Sequence, residues 1–196
     1  MHDVIQQAAQ AVSTGSPIGR GLIIFCGAAL VYLLGLAWAL VVVRQRAALT
    51  LATLGRVAAL AALAFLAAKA FNHVIDDPRP FIMAHTQPLI PVEHEANGFP
   101  SDHGLLAAIL MLSLWWIDRR VMGMFALGMA LVMLGRLGIG AHHTVDELGS
   151  LGIVAVAALI VRAVPLPITW DRPLLPAVRR VSGDVARPIA RRDPLA

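Results

Sequence analysis

The stretch from Gly135 to Asp146 holds the side chains best suited to chemistry, and it separates two long apolar runs. It supplies Arg136, then His142 six residues later and Asp146 four residues beyond that. An arginine can clamp an anion, a histidine can act as nucleophile or base, and a carboxylate can orient the imidazole. Ionisable groups set between apolar runs are costly and usually functional. The spacing therefore predicts an active site here.

A second set of polar residues lies where other apolar runs end or begin. Arg79 follows one run, and Ser101 and His103 come directly before another. The guanidinium forks of Arg79 and Arg136 suit the paired oxygens of a phosphate. Ser101 and the free amides of a helix N-terminus add neutral donors. We predict a phosphate cradle, by which we mean Arg79, Ser101 and Arg136.

The histidines give this cradle a reaction. Asp146 would orient His142 through one ring nitrogen and leave the other as a neutral nucleophile. His103, across the cradle, would protonate the leaving oxygen. The reaction that follows is phosphoryl transfer to water through a phosphohistidine.

Each of these residues also has a structural interpretation. The arginines suit helix ends, from which their side chains would snorkel to the membrane interface. Ser101 or Asp102 suits a helix cap. Lys69 can reach either the cradle or the interface. A metal site built from histidines with Asp146 and Glu93 is the chemical alternative, but the spacing fits no compact zinc motif and two arginines would repel a cation. The remaining histidines favour loop or interface positions: His73, His85, His94 and His143.

The composition indicates an integral membrane protein. Of the 196 residues, 58% are hydrophobic and only 14% are charged, which is far more apolar than an ordinary globular chain. Residues 21–43 carry no charge, enough for a helix rising ~1.5 Å per residue to cross a core of ~30 Å. The N-terminus lacks the basic start of a cleavable signal peptide. The single cysteine, Cys26, lies in this span and permits no intramolecular disulfide.

We predict an all-α polytopic bundle of about five transmembrane helices. Further spans are predicted over residues 57–75, 104–117, 121–135 and 146 to 162 or 164. A polar link holding Arg44, Arg46 and Arg56 follows the first span, and prolines at 78 and 80 end the second. The last three spans have uncharged cores of about 14 or 15 residues, below the ~20 expected, which suits polar ends that line a water-filled cavity.

Three regions follow from this pattern. Residues 1–20 form an N-terminal interfacial segment, because apolar side chains recur at helical spacing over residues 2–14. Residues 21–164 form the transmembrane catalytic domain. Residues 165–196 form a basic cytoplasmic tail rich in proline and arginine: Arg172, Arg179, Arg180, Arg187, Arg191 and Arg192.

Five spans bring all the polar motifs to one side of the membrane. The opposite side receives most of the arginines that flank the spans, together with the tail. By the positive-inside bias that basic side is cytoplasmic, so the site and the N-terminus face outward and the C-terminus lies inside. The same topology explains the net charge of +4, and no nucleic-acid partner is expected.

The sequence resembles the type 2 phosphatidic acid phosphatase superfamily. The signature of that family has three parts: Lys-x6-Arg-Pro, Pro-Ser-x-His and Ser-Arg-x5-His-x3-Asp. The second part matches residues 100–103, the third matches Arg136, His142 and Asp146, and Arg79 with Pro80 matches the end of the first. Residues 78–81, 99–103 and 145–150 further resemble undecaprenyl-diphosphate phosphatases of the bacitracin-resistance type. The resemblance covers roughly residues 20–165.

The resemblance implies a metal-independent enzyme without cofactors, with His142 as nucleophile, His103 as general acid and the cradle holding phosphate. It also implies a polyprenyl-diphosphate lipid substrate and recycling of the cell-wall lipid carrier at the plasma membrane. Two positions depart from the signature. Asn72 stands where the lysine is expected, so Asn72 itself and Lys69 one turn earlier are both candidates to bind phosphate there, and Gly135 replaces the serine.

Other substrates remain open from the residues. Phosphatidic acid, phosphatidylglycerol phosphate or lipid A would suit the same chemistry, as would phosphate transfer to a second lipid. A non-enzymatic lipid-phosphate binding protein is the rival from another class, and the histidine pair argues against it because binding needs neither nucleophile nor acid.

Overall fold

The computed structural model describes residues 3–85, 87–92 and 97–175. The described part of the chain contains helices and two isolated β-bridges but no β-sheet, which confirms the all-α prediction. A π-helical turn at Phe25–Ala29 joins α2 to α3, and 3-10 turns occupy Arg119–Val121 and Ile168–Asp171. The α-helices in chain order are α1 (Val4–Gly15), α2 (Pro17–Ile24), α3 (Leu30–Arg44), α4 (Leu51–Val74), α5 (Pro80–Met83), α6 (Asp102–Ile117), α7 (Met122–Gly138) and α8 (Thr144–Ala163).

The polytopic arrangement is also confirmed. Within the described residues, four helical stretches are long and apolar enough to cross a membrane: Pro17–Arg44, Leu51–Val74, Arg119–Gly138 and Thr144–Ala163. The fifth, α6, is apolar but only 16 residues long. Its predicted cap is confirmed, because the Ser101 hydroxyl accepts a hydrogen bond from the amide of Gly104. The helix itself starts at Asp102, two residues before the predicted start of this span.

The predicted start of the second span at residue 57 was wrong. Helix α4 begins at Leu51, because the Thr50 hydroxyl accepts from the amide of Thr53 at 3.1 Å and caps an earlier first turn. Arg56 therefore lies within α4 and not in a polar link. A charged side chain near a helix end interrupts the apolar pattern without interrupting the helix.

The predicted end of the fourth span at residue 135 was wrong, because α7 continues to Gly138 and holds Arg136 in its last turn. The predicted end of the fifth span at residue 162 or 164 is confirmed by the end of α8 at Ala163, while α8 starts at Thr144, two residues before the predicted start. In both helices the polar residues that marked a boundary in the sequence are buried parts of the helix itself. Arg136 is 6% exposed and Asp146 is fully buried.

Helix α6 is the centre of the bundle and packs against α3, α4, α7 and α8. Its position explains its composition, since a helix surrounded by others is apolar on every side. One polar group in this core is satisfied internally, because the indole nitrogen of Trp38 donates to the Ser113 hydroxyl at 2.8 Å. The most buried core side chains include Leu60, Ala64, Ala108, Leu114, Phe125, Val132 and Val154.

The N-terminal helix predicted over residues 2–14 is present as α1, and it packs against α2 and α7. The Ser13 hydroxyl lies 2.7 Å from the carbonyl oxygen of Gln10 in its own helix and 3.4 Å from that of Gly138, so one end of α1 lies against the end of α7. The placement of α1 in the membrane interface stays a prediction.

At the other end of the chain, the amide of Leu174 donates to the carbonyl of Leu49 at 3.0 Å. Most of the predicted tail, including Arg179, Arg180, Arg187, Arg191 and Arg192, lies outside the described residues, as do Glu93 and His94.

Candidate active site

His142 is 2% exposed, and its two ring nitrogens face opposite kinds of group. Nδ1 lies 3.0 Å from the carbonyl oxygen of Gly98 and 3.3 Å from Oδ2 of Asp146. Both are acceptors, so Nδ1 must carry the proton. Nε2 lies 3.3 Å from a guanidinium nitrogen of Arg79 and 3.2 Å from one of Arg136. Both are donors, so the neighbours of His142 fix a neutral tautomer with its lone pair at Nε2.

The turn that carries His142 is shaped by Gly140, whose φ of +79° is a conformation that favours glycine. It lets the amides of Gly140 and Ala141 donate to the carbonyls of Leu137 and Arg136 at 3.0 and 3.1 Å, closing the end of α7. The next residues start α8 at once. The short turn therefore places His142 directly between two helix ends.

Asp146 reaches His142 because it also caps α8. Its Oδ2 accepts from the backbone amide of His143 at 2.8 Å, as one half of a capping box. Spacing of four residues between His142 and Asp146 thus corresponds to a cap geometry and not to a helix face. The serine at position 150 adds support, because its hydroxyl lies 2.8 Å from the Asp146 carbonyl and 2.9 Å from that of Ser101.

Arg136 is held by close packing between α7 and the π-helical turn. A guanidinium nitrogen donates to the carbonyl of Gly27 at 3.3 Å. Gly27 and Gly135 make this possible, since a Cβ on Gly27 would lie 2.7 Å from the carbonyl oxygen of Gly135. The glycine at the signature's serine position therefore has a packing role here. It lets the first span approach α7 closely enough to orient Arg136.

Arg79 lies just before α5 and is 6% exposed. Pro80 occupies the first turn of that helix, where its fixed φ is favourable. The Arg79 guanidinium donates to the carbonyl of Ala141 at 3.2 Å, besides its contact with His142. Arg79 and Arg136 thus converge on one imidazole nitrogen from separate parts of the chain.

The loop before α6 is fastened to the end of α4 by two asparagines. The amide nitrogen of Asn97 donates to the carbonyls of Asn72 and Ile75 at 2.9 and 2.6 Å. The amide of Asn72 donates to the carbonyl of Phe99 at 2.8 Å. Asn72 was predicted to bind phosphate, and the structure instead places its amide on the loop backbone that carries Gly98.

Lys69 lines a narrow crevice together with Asn72, Arg79 and Asp102. Its side chain is exposed, and Nζ lies 5.6 Å from the centroid of the Phe65 ring. The structure therefore brings Lys69 to the rim of the cradle but not into the set of groups that contact His142.

Ser101 is fully buried beside Asp146 at the start of α6. His103 follows in the first turn and is partly buried, with its ring edge-on to Tyr32 at a centroid distance of 6.2 Å. The charges of Arg136 and Arg79 and the ring of His142 are all close enough to interact electrostatically with His103. The structure thus gathers every predicted catalytic residue, and every cradle residue, around one end of the bundle.

The electrostatic setting favours a neutral His142. Burial lowers the pKa of His142 well below its ordinary value, and the positive charges of Arg136 and Arg79 lower it further. A neutral imidazole keeps the Nε2 lone pair available at physiological pH.

Sequence reasoning missed three acids at this end. Burial and the neighbouring Asp146 carboxyl raise the pKa of Asp77. Asp77 lies in the segment that was interpreted only as the end of the second span. Glu147 is 2% exposed, and a Cβ on Gly104 would collide with its carboxyl group. A signal existed for Glu147, since it follows Asp146 directly in a first helical turn, but such acids usually serve the helix dipole alone.

The third missed acid is Asp3, which joins α1 to the start of α8. One oxygen accepts from the amide of Gln6 at 3.0 Å and caps α1, while the other accepts from the amide of Thr144 at 2.7 Å. The Thr144 hydroxyl donates to Asp3 as well, also at 2.7 Å. Gln6 itself lies 3.2 Å from Nδ1 of His143. No sequence signal indicates these contacts, because they join residues at opposite ends of the chain.

The site contains no set of three histidine, cysteine or acidic side chains arranged to hold a metal ion, as judged over residues 3–85, 87–92 and 97–175. The donors that converge on His142 are two cationic arginines, which suit an anion.

Comparison with known proteins gives a family that fits this geometry. The model of the PAP2 superfamily matches residues 51–170, which include the cradle, both histidines and Asp146. The undecaprenyl-diphosphatase BcrC of Bacillus subtilis (strain 168) is 30% identical over 84 residues. That match spans 43% of this chain and 43% of the length of that relative. No solved structure matches significantly. The family match covers more than half of the chain, which is therefore a polytopic membrane protein of the PAP2 superfamily.

Proposed function

We propose that this protein is a membrane lipid-phosphate phosphatase that hydrolyses undecaprenyl diphosphate to undecaprenyl phosphate and inorganic phosphate. The observation that carries the proposal is the set of contacts made by the His142 ring. Two acceptors lie at Nδ1, and two arginine guanidiniums lie at Nε2. Arginine forks bind phosphate oxygens. A bound phosphoryl group would replace the imidazole as their partner and lie next to the lone pair.

In the first step the Nε2 lone pair attacks the terminal phosphorus. A P–N bond forms while the bond to the bridging oxygen breaks, and His103, protonated beside the anionic substrate, gives its proton to that oxygen. Arg79 and Arg136 stabilise the charge on the transferring group, which is where most of the rate enhancement in phosphoryl transfer arises. The products are a phosphohistidine and the lipid monophosphate.

In the second step water attacks the phosphohistidine. His103, now neutral, takes a proton from the water as it attacks, the P–N bond breaks and inorganic phosphate leaves. The cationic imidazole formed in step one keeps its Nδ1 proton, and Asp146 with the Gly98 carbonyl stabilises it. Each turn of the cycle restores the starting tautomer.

The polyprenyl substrate is supported by the partial similarity to a protein named undecaprenyl-diphosphatase and by an apolar groove that reaches Phe99, next to the Gly98 carbonyl that contacts His142. The groove, of about 360 Å³, runs between α4 and α8 and is also lined by Phe99 from the loop before α6. Gly149 and Gly152 form part of its wall, and a Cβ at Gly149 would collide with Phe99. A long unsaturated tail in this groove would leave its diphosphate at the cradle.

We further propose that the site faces the outside of the plasma membrane, with the N-terminus outside and the C-terminus in the cytoplasm. The arginines that flank the other end of the bundle support this orientation. Labelling of single cysteines near residues 90 and 180 in intact cells tests it, since the residue-90 site alone should react from outside. Labelling at 180 from outside would reverse the assignment.

The function is tested by phosphate release from purified protein in the presence of a chelator. Undecaprenyl diphosphate and phosphatidic acid are compared side by side, with His142→Ala as the inactive variant and His73→Ala, an exposed histidine at the end of α4, as matched control. We expect release from the diphosphate, retained in the His73 variant and lost in the His142 variant. Release from phosphatidic acid alone would contradict the substrate, and release by His142→Ala would contradict the mechanism.

A further inference from the structure

Two arginines meet on one aromatic ring at the end of the bundle opposite the active site. The guanidinium carbon of Arg119 lies 4.6 Å from the centroid of the Trp115 ring, and that of Arg162 lies 5.1 Å from it. Arg119 also donates from Nε to the carbonyl of Trp115 at 3.0 Å. The two arginines come from the turn before α7 and from the last turn of α8, so the tertiary fold brings their charges together on α6.

These charges have no acidic partner within the described residues, where the single ion pair found joins His142 to Asp146. The nearest acid in sequence, Asp118, is occupied. One of its oxygens accepts from the side chain of Gln45 at 2.7 Å and the other from the amide of Arg120 at 3.0 Å. Two exposed guanidiniums held on one indole are like charges that repel, so an anion that contacts both relieves an unfavourable interaction.

An apolar groove begins at Arg162 and at the Trp115 ring that Arg119 contacts. It has a volume of about 220 Å³ and lies between α6 and α8, with Trp115 and Arg162 at its polar end. Small side chains on α8 leave the space of the groove, and larger side chains on α6 form its opposite wall. The remaining lining residues are Leu112, Trp116, Ala155, Ala158 and Leu159.

We propose that this groove is a binding site for an anionic phospholipid of the leaflet opposite the active site. The phosphate would lie between the guanidiniums of Arg119 and Arg162, and one acyl chain would lie along the groove. Arginine forks recognise phosphate oxygens, and basic residues at the ends of spans attract anionic head groups. A soluble phosphate would leave the groove unfilled, and a zwitterionic lipid would bring its ammonium group towards two cations. The site is separate from the phosphatase centre and does not depend on the proposed function.

The test measures lipid binding to the purified full-length protein by native mass spectrometry. Phosphatidylglycerol and phosphatidylcholine with identical acyl chains are titrated against the wild type, Arg119→Gln, Arg162→Gln and the double variant. Arg120→Gln is the matched control, because Arg120 is exposed and adjacent but is not on the indole. We expect each single change to weaken phosphatidylglycerol binding about fivefold and the double change about 25-fold, with phosphatidylcholine unchanged.

A groove variant separates the lipid from a free anion. Ala158→Phe fills the groove without altering charge, and we expect it to weaken binding of long-chain phosphatidylglycerol while the dihexanoyl form binds as before. The proposal is overturned if the double variant binds phosphatidylglycerol within twofold of the wild type, or if Arg120→Gln causes an equal loss. It is also overturned if inorganic phosphate competes as well as the lipid does.

Discussion

The two ends of the bundle each hold a pair of arginines, and the pairs differ in what surrounds them. Arg79 and Arg136 are both 6% exposed and donate to the backbone carbonyls of Ala141 and Gly27. Arg119 and Arg162 are exposed and rest on the face of Trp115. Fixed, desolvated donors suit a transition state, whose charge they meet without reorganising. Exposed donors on an aromatic face suit a ligand that enters from the bilayer and varies in shape.

The largest predicted effect sharpens this contrast. Arg136→Lys keeps the charge but loses the fork that contacts both His142 and Gly27, so we expect kcat/KM to fall about 10³-fold. Arg120→Lys, at the opposite end, should leave turnover within twofold. Steady-state phosphate release measures both. Equal losses in the two variants would mean that burial of Arg136 has no catalytic consequence.

Asp146→Asn should have the next largest effect, about 10²-fold in kcat. The Gly98 carbonyl stays 3.0 Å from Nδ1, so the tautomer survives and the lost contribution is stabilisation of the cationic imidazole. Rapid-quench measurement of the first turnover tests this, because the deficit should appear in phosphoryl transfer and not in KM. A variant with wild-type kcat would show that the Gly98 carbonyl alone is enough.

The pH dependence follows from the lowered pKa of His142. The lowered pKa keeps the His142 ring neutral at pH values where an ordinary histidine is protonated. The acidic limb of kcat/KM should therefore lie below pH 6.5. Arg136→Gln removes one positive charge that depresses this pKa, so the limb should move to higher pH. A profile of kcat/KM against pH for both proteins measures the shift. Movement to lower pH, or none, would contradict the electrostatic account.

The smallest predicted effect concerns Asp3. Asp3→Asn keeps one acceptor oxygen but cannot accept from both Gln6 and Thr144 as strongly, so we expect kcat to fall about three- to tenfold with KM little changed. Thermal unfolding of the same protein should shift only slightly. The control is Asp171→Asn, an acid at the other end of the chain's described part. A loss of stability with full kcat would make Asp3 a helix cap alone.

The fold was largely predictable because the apolar runs are long and their ends are marked. Residues 21–43 have no charge to interrupt them, and the cap at Ser101 was visible as a serine before an apolar run. The errors arose where a charged residue belongs to a helix. Arg56 and Arg136 look like boundaries in a one-dimensional pattern, whereas Arg56 lies in the second turn of α4 and Arg136 is buried in the last turn of α7.

The site was predictable in its side chains and not in its backbone. The spacing from Arg136 to Asp146 indicated the residues that surround His142, since a short turn between helices keeps them together. The acceptor at Gly98 and the donor partner at Gly27 are carbonyl groups, which every residue has and no pattern marks. Asp3 was missed for a related reason, because a contact between the chain's start and residue 144 leaves no local signature.

The central claim is that Nε2 of His142 forms a covalent bond to phosphorus. It is tested most directly by quenching the enzyme with alkali during turnover of substrate labelled in the terminal phosphate, followed by peptide mass spectrometry. We predict an acid-labile, alkali-stable phosphate on the peptide containing His142, and none on that peptide in His142→Ala. Phosphate on another residue, or turnover at the wild-type rate with no phosphoryl-enzyme formed, would contradict the account.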